Sequence, residues 1–211
     1  MSSQNPPCSI IDYGLGNLRS VARMVELAGG GPRLICRPEE LIEGEHLILP
    51  GVGAFDAGMR ELSDRGFVTP LQSFATRGKT PFLGICLGMQ LLFENSEEGV
   101  RRGLGILPGE VERFSDSRGV RIPHMGWNAV RVLHPDRLLV GLERDARFYF
   151  VHSYHVVTTD LSLVSGTTDY GGDFTSIVRR GNVMGAQFHP EKSHRFGKQF
   201  LRNFLFEVPA C

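Results

Sequence analysis

The chain has 211 residues, of which 41% are hydrophobic and 22% are charged, an ordinary composition for a globular protein with a well-buried core. Its 23 lysine and arginine residues balance its 23 aspartate and glutamate residues, so the charge indicates neither a nucleic-acid nor an anionic-membrane partner. The sequence holds no apolar run long enough to span a membrane, and residues 1–7 lack the pattern of a signal peptide. We therefore expect a cytoplasmic protein.

The cysteines are scattered, without a C-x-x-C pair or the spacing of a disulfide framework; they are Cys8, Cys36, Cys86 and Cys211. Unpaired thiols of this kind suit a reducing compartment. We interpret Cys8 and Cys36, at the start and the end of predicted strands, as structural, and we assign no role to Cys211. No group of residues has metal-ligand spacing, so we predict neither a metal nor a cofactor.

The first half of the chain alternates predicted strands with predicted helices. The strands cover residues 8–13, 33–36, 46–49 and 81–83, and the helices cover about 17–27, 55–64, 68–76 and 89–93. This alternation predicts a parallel sheet, in which ligands bind at the carboxyl ends of the strands. Asp12, the loop 51–53 and Cys86 all fall at such ends.

After about residue 105 the pattern changes to shorter strand-like runs, which cover residues 129–133, 148–151, 156–158, 176–179 and 183–187. We expect them to form a mixed or antiparallel extension of the sheet. A final amphipathic helix covers about 193–206, with an apolar face of Phe196, Phe200, Phe204 and Leu205. Because the sequence shows no internal repeat or linker, it predicts one α/β domain over residues 1–211.

The segment Gly84-Ile85-Cys86-Leu87-Gly88 has the form of a nucleophile elbow, with cysteine in the place of serine. A sharp turn from strand to helix strains its central residue and needs small flanking residues. It also places the side chain clear of the sheet, near a helix N-terminus that favours a thiolate. The alternative is a core cysteine between two incidental glycines, in a chain that has 26 glycines.

Residues 187–191, Gln-Phe-His-Pro-Glu, could supply the base that a cysteine nucleophile needs and the group that orients this base. In extended backbone, residues two apart point the same way, so the His189 imidazole and the Glu191 carboxylate could form a hydrogen bond. Alternatively, His189 lies in a surface loop and Glu191 caps the last helix. We favour a catalytic triad of Cys86, His189 and Glu191.

Attack on an acyl carbon creates an oxyanion, which needs preorganised N–H donors. The loop Pro50-Gly51-Val52-Gly53 follows a predicted strand, and its glycines allow a backbone N–H to turn toward the site, beside the N–H of Leu87. The alternative is a plain turn between a strand and a helix.

Residues 84–90, Gly-Ile-Cys-Leu-Gly-Met-Gln, together with His189-Pro190-Glu191, resemble the class I (triad) glutamine amidotransferases. Three further segments resemble the glutaminase subunit of imidazole glycerol phosphate synthase, an enzyme of histidine biosynthesis. They are residues 12–20 (Asp-Tyr-Gly-Leu-Gly-Asn-Leu-Arg-Ser), 50–55 (Pro-Gly-Val-Gly-Ala-Phe) and 123–128 (Pro-His-Met-Gly-Trp-Asn). The resemblance spans about residues 8–206 and implies a three-layer α/β fold with a central, mostly parallel sheet.

The resemblance implies that Cys86 attacks the carboxamide of glutamine, so that ammonia leaves and a γ-glutamyl thioester is hydrolysed to glutamate. His189 would transfer the protons and Glu191 would hold the imidazole tautomer. Positions that match the glutamine pocket of the family are Val52, Gly53, Gln90, His152, Ser153 and Tyr154.

The resemblance also implies a heterodimer with a (β/α)₈ cyclase subunit, which receives the ammonia by a sheltered route because the ammonium ion in water is no nucleophile. The cyclase would form imidazole glycerol phosphate and an aminoimidazole carboxamide ribotide. Positions that match the interface are Asn17, Trp127, Tyr149 and Lys192. Trp127 could instead belong to the core, and Lys192 could be a solvated charge.

Glycine on both sides of Val52 motivates one more hypothesis, because a peptide flip there could add or remove an oxyanion donor and so switch activity. Two other functions stay open. The first is a freestanding γ-glutamyl hydrolase or the glutaminase subunit of another synthase, and the second is a catalytically silent scaffold subunit.

Overall fold

The computed structural model describes residues 5–116, 119–142 and 146–208, so Cys211 lies outside the described residues. The strands are β1 Pro7–Ile11, β2 Gly31–Ile35, β3 His46–Leu49, β4 Phe82–Ile85, β5 Asn95–Ser96, β6 Glu110–Arg113, β7 His124–Ala129, β8 Arg131–Val132, β9 Arg147–His152, β10 Tyr154–Val157, β11 Val164–Asp169, β12 Asp173–Arg180 and β13 Val183–Ala186. The helices are α1 Leu18–Ala28, α2 Phe55–Asp64, α3 Val68–Arg77, α4 Leu87–Leu91 and α5 His194–Phe206.

The first half of the chain forms the parallel part of the sheet. Strands β2, β1, β3, β4 and β13 lie side by side in that order, and all neighbours are parallel. The predicted parallel sheet is confirmed, and β13 comes from the far end of the chain to complete it. The carboxyl ends share one edge, where Asp12, Pro50, Cys86 and Gln187 follow β1, β3, β4 and β13.

Helices cover both faces of this sheet and give three layers, as predicted. In β1, Cys8 and Ile10 pack on the side of α1 and α5, whereas Ile11 packs on the side of α2, α3 and α4. This alternation follows the two-residue period of a strand that is buried on both faces. Each large apolar side chain buried in either cluster contributes about 1.5–3 kcal/mol to folding.

The second half of the chain extends the sheet with mainly antiparallel strands. Strand β12 is antiparallel to β13, β10 and β11, and β10 is antiparallel to β6. The predicted mixed or antiparallel extension is therefore confirmed. Strands β7 and β9 form a separate antiparallel pair.

The strand predicted over residues 129–133 is wrong, because two different strands share this segment. Strand β7 ends at Ala129 and pairs with β9, whereas β8 begins at Arg131 and pairs with β11. Val130, which is buried, lies between them. The alternation of side chains predicts one strand here, but the two halves of the segment pair with strands of different sheets.

The predictions for α1, α2, α3 and α5 agree with the structure to within one residue, whereas the helix predicted over residues 89–93 begins and ends two residues earlier, as α4. Helix α1 ends at Ala28 because Gly29 adopts a left-handed conformation with φ of 99° and its N–H caps the last turn. In α5, Phe200, Phe204 and Leu205 are buried, and Phe196 packs against the same core. Over the described residues, no helix has both the length and the apolar character needed to cross a membrane.

Candidate active site

Cys86 occupies the sharp turn between β4 and α4. Its φ of 53° and ψ of −110° lie where residues other than glycine are rare, and its N–H donates to the Ala186 carbonyl at 2.8 Å. The turn is tighter than predicted, because the strand continues to Ile85 and the helix begins at Leu87. The strained conformation expected of a nucleophile elbow is therefore present at Cys86.

The glycines on either side of Cys86 are required by packing. A Cβ on Gly84 would lie 2.6 Å from the Gly88 carbonyl oxygen, and a Cβ on Gly88 would lie 1.8 Å from the Leu49 carbonyl oxygen. Both obstacles are backbone atoms, which cannot move aside as a flexible side chain can. These glycines are therefore not incidental to the turn.

His189 and Glu191 form a buried hydrogen-bonded pair. His189 Nδ1 lies 2.8 Å from Glu191 Oε1, and each side chain is only 2% exposed. The contact is as predicted, but the predicted reason is wrong, because Pro190–Lys192 forms a 3₁₀ turn rather than extended backbone. The burial also excludes the alternative of a histidine in a surface loop.

Two neighbours control the charge of His189. Burial by itself lowers the pKa of this imidazole, but the Cys86 sulfur and the Glu191 carboxylate outweigh burial and raise the pKa to about 10. Because Nδ1 donates to Glu191, Nε2 is the nitrogen that faces Cys86. The arrangement stabilises an imidazolium beside the sulfur.

A cavity of about 590 Å³ opens beside Cys86. Most of the residues predicted for the site line it, namely Val52, Gly53, Cys86, Leu87, Gln90, His152, Ser153, Tyr154, His189 and Lys192. Leu87 is the first residue of α4, so its N–H has no partner within the helix and can serve an oxyanion. Gly51 is buried instead, and a Cβ there would lie 2.5 Å from the Tyr13 hydroxyl.

Two polar residues of this region were missed from the sequence. Glu98 lines the cavity, and its carboxylate accepts a hydrogen bond from the Phe55 N–H at 2.8 Å. Gln187 is fully buried and its Nε2 lies 3.7 Å from the Cys86 sulfur. Glu98 belongs to a stretch with Glu94 and Glu97, and nothing in the sequence distinguishes it from them.

Three of the four predicted interface residues form one surface beside the cavity. Trp127 and Tyr149 are paired across β7 and β9 with ring centroids 6.0 Å apart, and Lys192 Nζ lies 5.7 Å from the Tyr149 ring. Trp127 is 44% exposed and stacks on His194, so it is not a core residue. Asn17 is exposed and directly precedes α1.

The described residues offer no group of three or more histidine, cysteine, aspartate or glutamate side chains that could hold a metal ion. Among these residues the cysteines are free thiols, with Cys8 and Cys86 buried and Cys36 exposed.

The family model of class-I glutamine amidotransferases matches residues 10–208. The chain belongs to this family. Among its relatives, the imidazole glycerol phosphate synthase subunit HisH of Synechococcus elongatus is 46% identical over 211 residues, covering 99% of this chain and 97% of the relative. The HisH subunit of Desulfitobacterium hafniense is 51% identical over 196 residues, covering 92% of each chain.

A solved structure shares the fold. It is that of PurLQS from Thermotoga maritima, which matches with a TM-score of 0.76 at 23% identity and covers 97% of this chain and 100% of that chain. The fold class implied by the sequence resemblance is confirmed by this match and by the sheet and helix layers described above.

We predict that Gly88→Ala destabilises the protein, because its Cβ must displace the backbone of either β3 or α4. Overpacking of this kind lowers the free energy of unfolding by about 3 kcal/mol, to be measured by urea denaturation. Gly31→Ala is the matched control, since its Cβ would meet its nearest neighbour, the Asn5 carbonyl, at 3.7 Å. A change within about 0.5 kcal/mol is expected there, and equal losses would contradict the packing argument.

We predict that Glu191→Gln lowers the pKa of His189 by about 1–3 units, because a neutral amide replaces the carboxylate that stabilises the imidazolium. In the wild-type protein the ring should stay protonated up to about pH 10, as followed by the NMR shifts of its ring. Glu26→Gln removes an exposed carboxylate paired with Arg23 and should leave His189 unchanged. An unaltered pKa in Glu191→Gln would show that Glu191 does not control the base.

Proposed function

We propose that this chain is the glutaminase subunit of imidazole glycerol phosphate synthase. It hydrolyses glutamine to glutamate and ammonia and supplies the ammonia to a (β/α)₈ cyclase subunit in histidine biosynthesis. The observation that carries the proposal is the buried His189, held between the Glu191 carboxylate and the sulfur of an elbow cysteine. Membership of the class-I family and the HisH relatives support the same function.

The chemistry has two halves. The Cys86 sulfur attacks the carboxamide carbon, His189 delivers a proton to the nitrogen, and the C–N bond breaks to release ammonia and leave a γ-glutamyl thioester. His189, now neutral, then takes a proton from water, whose oxygen attacks the thioester carbon. The C–S bond breaks, and the products are glutamate and the Cys86 thiolate beside the His189 imidazolium with which the cycle began. Glu191 holds the ring so that Nε2 faces the reacting atoms throughout.

Backbone N–H donors near Cys86 stabilise the oxyanion that forms in each half of the reaction. The N–H of Leu87 is available at the start of α4, and the loop 50–53 packs against this helix start, where a Cβ on Gly51 would lie 2.9 Å from the Leu87 Cβ and 3.0 Å from the Gly88 nitrogen. Gly53 adopts a left-handed conformation with φ of 101°, so the loop uses a backbone geometry that other residues rarely adopt. A flip of the peptide beside Val52 would change which loop N–H faces the oxyanion.

The cavity fits an amino acid with a polar side chain. The negative charge of Glu98 complements the α-ammonium group of glutamine, and the backbone of His152, Ser153 and Tyr154 supplies groups for its α-amino and carboxylate groups. Gln90 donates both hydrogens of its amide to protein acceptors, so its Oε1 remains available to the substrate.

The cyclase docks on the catalytic face, because ammonia must pass between the subunits without entering water. Lys192 supports this geometry, since it both lines the cavity and lies against the Tyr149 ring. Exposed aromatic side chains such as Trp127 are typical anchors of an interface. Asn17, in the loop before α1, adds a further contact with the cyclase.

The chain acts as a single domain in the cytoplasm. Its three described cysteines are free thiols, which is typical of a reducing compartment.

We predict that the chain alone releases glutamate from glutamine slowly, and that the cyclase with its nucleotide ligand increases the rate severalfold or more. Cys86→Ala should abolish release in both cases, because no other group forms the thioester. Cys36→Ala, which removes an exposed thiol, is the control and should retain the activity. Equal rates with and without the cyclase would favour the alternative, a freestanding γ-glutamyl hydrolase or the glutaminase of another synthase.

We predict that Gly53→Val lowers the cyclase-stimulated turnover about tenfold or more while the complex still forms. A Cβ at this position meets nothing within 4 Å among the described residues, so the strain comes from the positive φ alone and acts on the loop. Gly78→Val is the matched control, since its φ is 74° and its surroundings are equally open in the described part of the chain. Loss of complex formation in Gly53→Val would show that the loop is structural.

A further inference from the structure

Gln187 lies beside Cys86 because of the strand register. Ala186 of β13 pairs with Ile85 of β4, so the next residue of each strand is Gln187 and Cys86 respectively. The Gln187 N–H donates to the Ser176 carbonyl at 2.9 Å, which fixes its backbone on the far side. Its side chain is directed at the sulfur, with Nε2 at 3.7 Å from Sγ, a normal distance for the larger sulfur atom.

The Tyr154 carbonyl determines the orientation of the side-chain amides of Gln90 and Gln187. The Tyr154 carbonyl can only accept, and Gln90 Nε2 lies 3.0 Å from it, so this nitrogen must be the donor. Gln90 Nε2 also lies 3.0 Å from Gln187, which must therefore present its oxygen Oε1. The remaining end of the Gln187 amide is the N–H₂ group, and it faces Cys86.

The Tyr154 carbonyl also accepts a hydrogen bond from His152. His152 Nδ1 lies 2.8 Å from the Tyr154 oxygen and must be protonated to donate to it. Burial lowers the pKa of His152 to about 3, so this ring stays neutral and keeps the same tautomer over the working pH range. The directions of the hydrogen bonds from Tyr154 through Gln90 to Gln187 are therefore fixed.

We propose that Gln187 is a positioning residue, whose side-chain N–H holds the Cys86 sulfur in place beside His189 and stabilises it as a thiolate. The inference rests on the proposed function, in which this sulfur is the nucleophile. A hydrogen bond to a charged acceptor is stronger than one to a neutral acceptor, so the N–H favours the thiolate over the thiol. Gln187 and His189, two residues apart, hold the sulfur from one segment of chain.

The test is the rate at which iodoacetamide alkylates Cys86 in the full chain as a function of pH, with the modified peptide quantified by mass spectrometry. Gln187→Met keeps the length of the side chain but has no N–H donor. We expect the midpoint of the pH profile for alkylation of Cys86 to rise by about one unit, so that alkylation becomes about tenfold slower at pH values below the wild-type midpoint. Cys36, which is exposed, provides an internal reference in the same sample.

Two further variants keep the result interpretable. Gln90→Met/Gln187→Met removes both amides together and leaves no buried donor unpaired between them, so it remains a test where the single variant does not fold. It should show the same rise in the midpoint. Ser176→Ala is the control, because Ser176 is buried in the neighbouring strand and bonds Thr168 rather than the Gln187 side chain. It should lower stability without moving the midpoint.

The outcomes separate this inference from the proposed function. If Cys86 of the wild-type chain does not react with a glutamine-mimicking electrophile, with or without the cyclase, the proposed function is wrong. If Cys86 reacts but its midpoint is the same in wild type, Gln187→Met and the double variant, the positioning role of Gln187 is wrong and the function stands. An equal shift in Ser176→Ala would also overturn it, because a purely structural effect would then suffice.

Discussion

The parallel pairing of β4 with β13 is the constraint on which the rest of the site depends. It sets Cys86 beside Gln187, although 101 positions separate them in the chain, and it brings His189 to the same side two residues later. A slip of one residue in this register would turn both side chains away from the sulfur. The close approach of Gly88 to the backbone of β3 then holds the elbow against the sheet.

The backbone of His189, the proposed base, is held by strand β9, which also forms the proposed docking surface. The His189 N–H donates to the Tyr149 carbonyl at 2.9 Å, and the Tyr149 N–H donates to Ser193 Oγ at 3.0 Å. Ser193 in turn donates to the His189 carbonyl at 2.6 Å. The ring of Tyr149 faces Trp127 and Lys192, so the proposed docking surface and the proposed base are both attached to β9.

Local pattern was enough to predict the turn at Cys86 and the contact between His189 and Glu191, because each lies within a few residues of a strand end. It could not separate Glu98 from its acidic neighbours, since Glu98 is distinguished by a hydrogen bond from the Phe55 N–H at the start of α2, 43 positions away in the chain. Nor could it assign Gln187, whose partners Gln90 and Ser176 come from distant segments. The run 129–133 was misjudged because its two halves pair with different strands.

Strand β13 pairs with β4 but is synthesised about 100 residues later. Strand β4 leaves the ribosome with its outer edge unpaired, and this edge stays open until residues 183–186 have been synthesised and fill the gap between β4 and β12. His189 and Glu191, which follow β13, are absent throughout that interval. On the proposed mechanism, a nascent or truncated chain that stops before β13 therefore cannot hydrolyse glutamine.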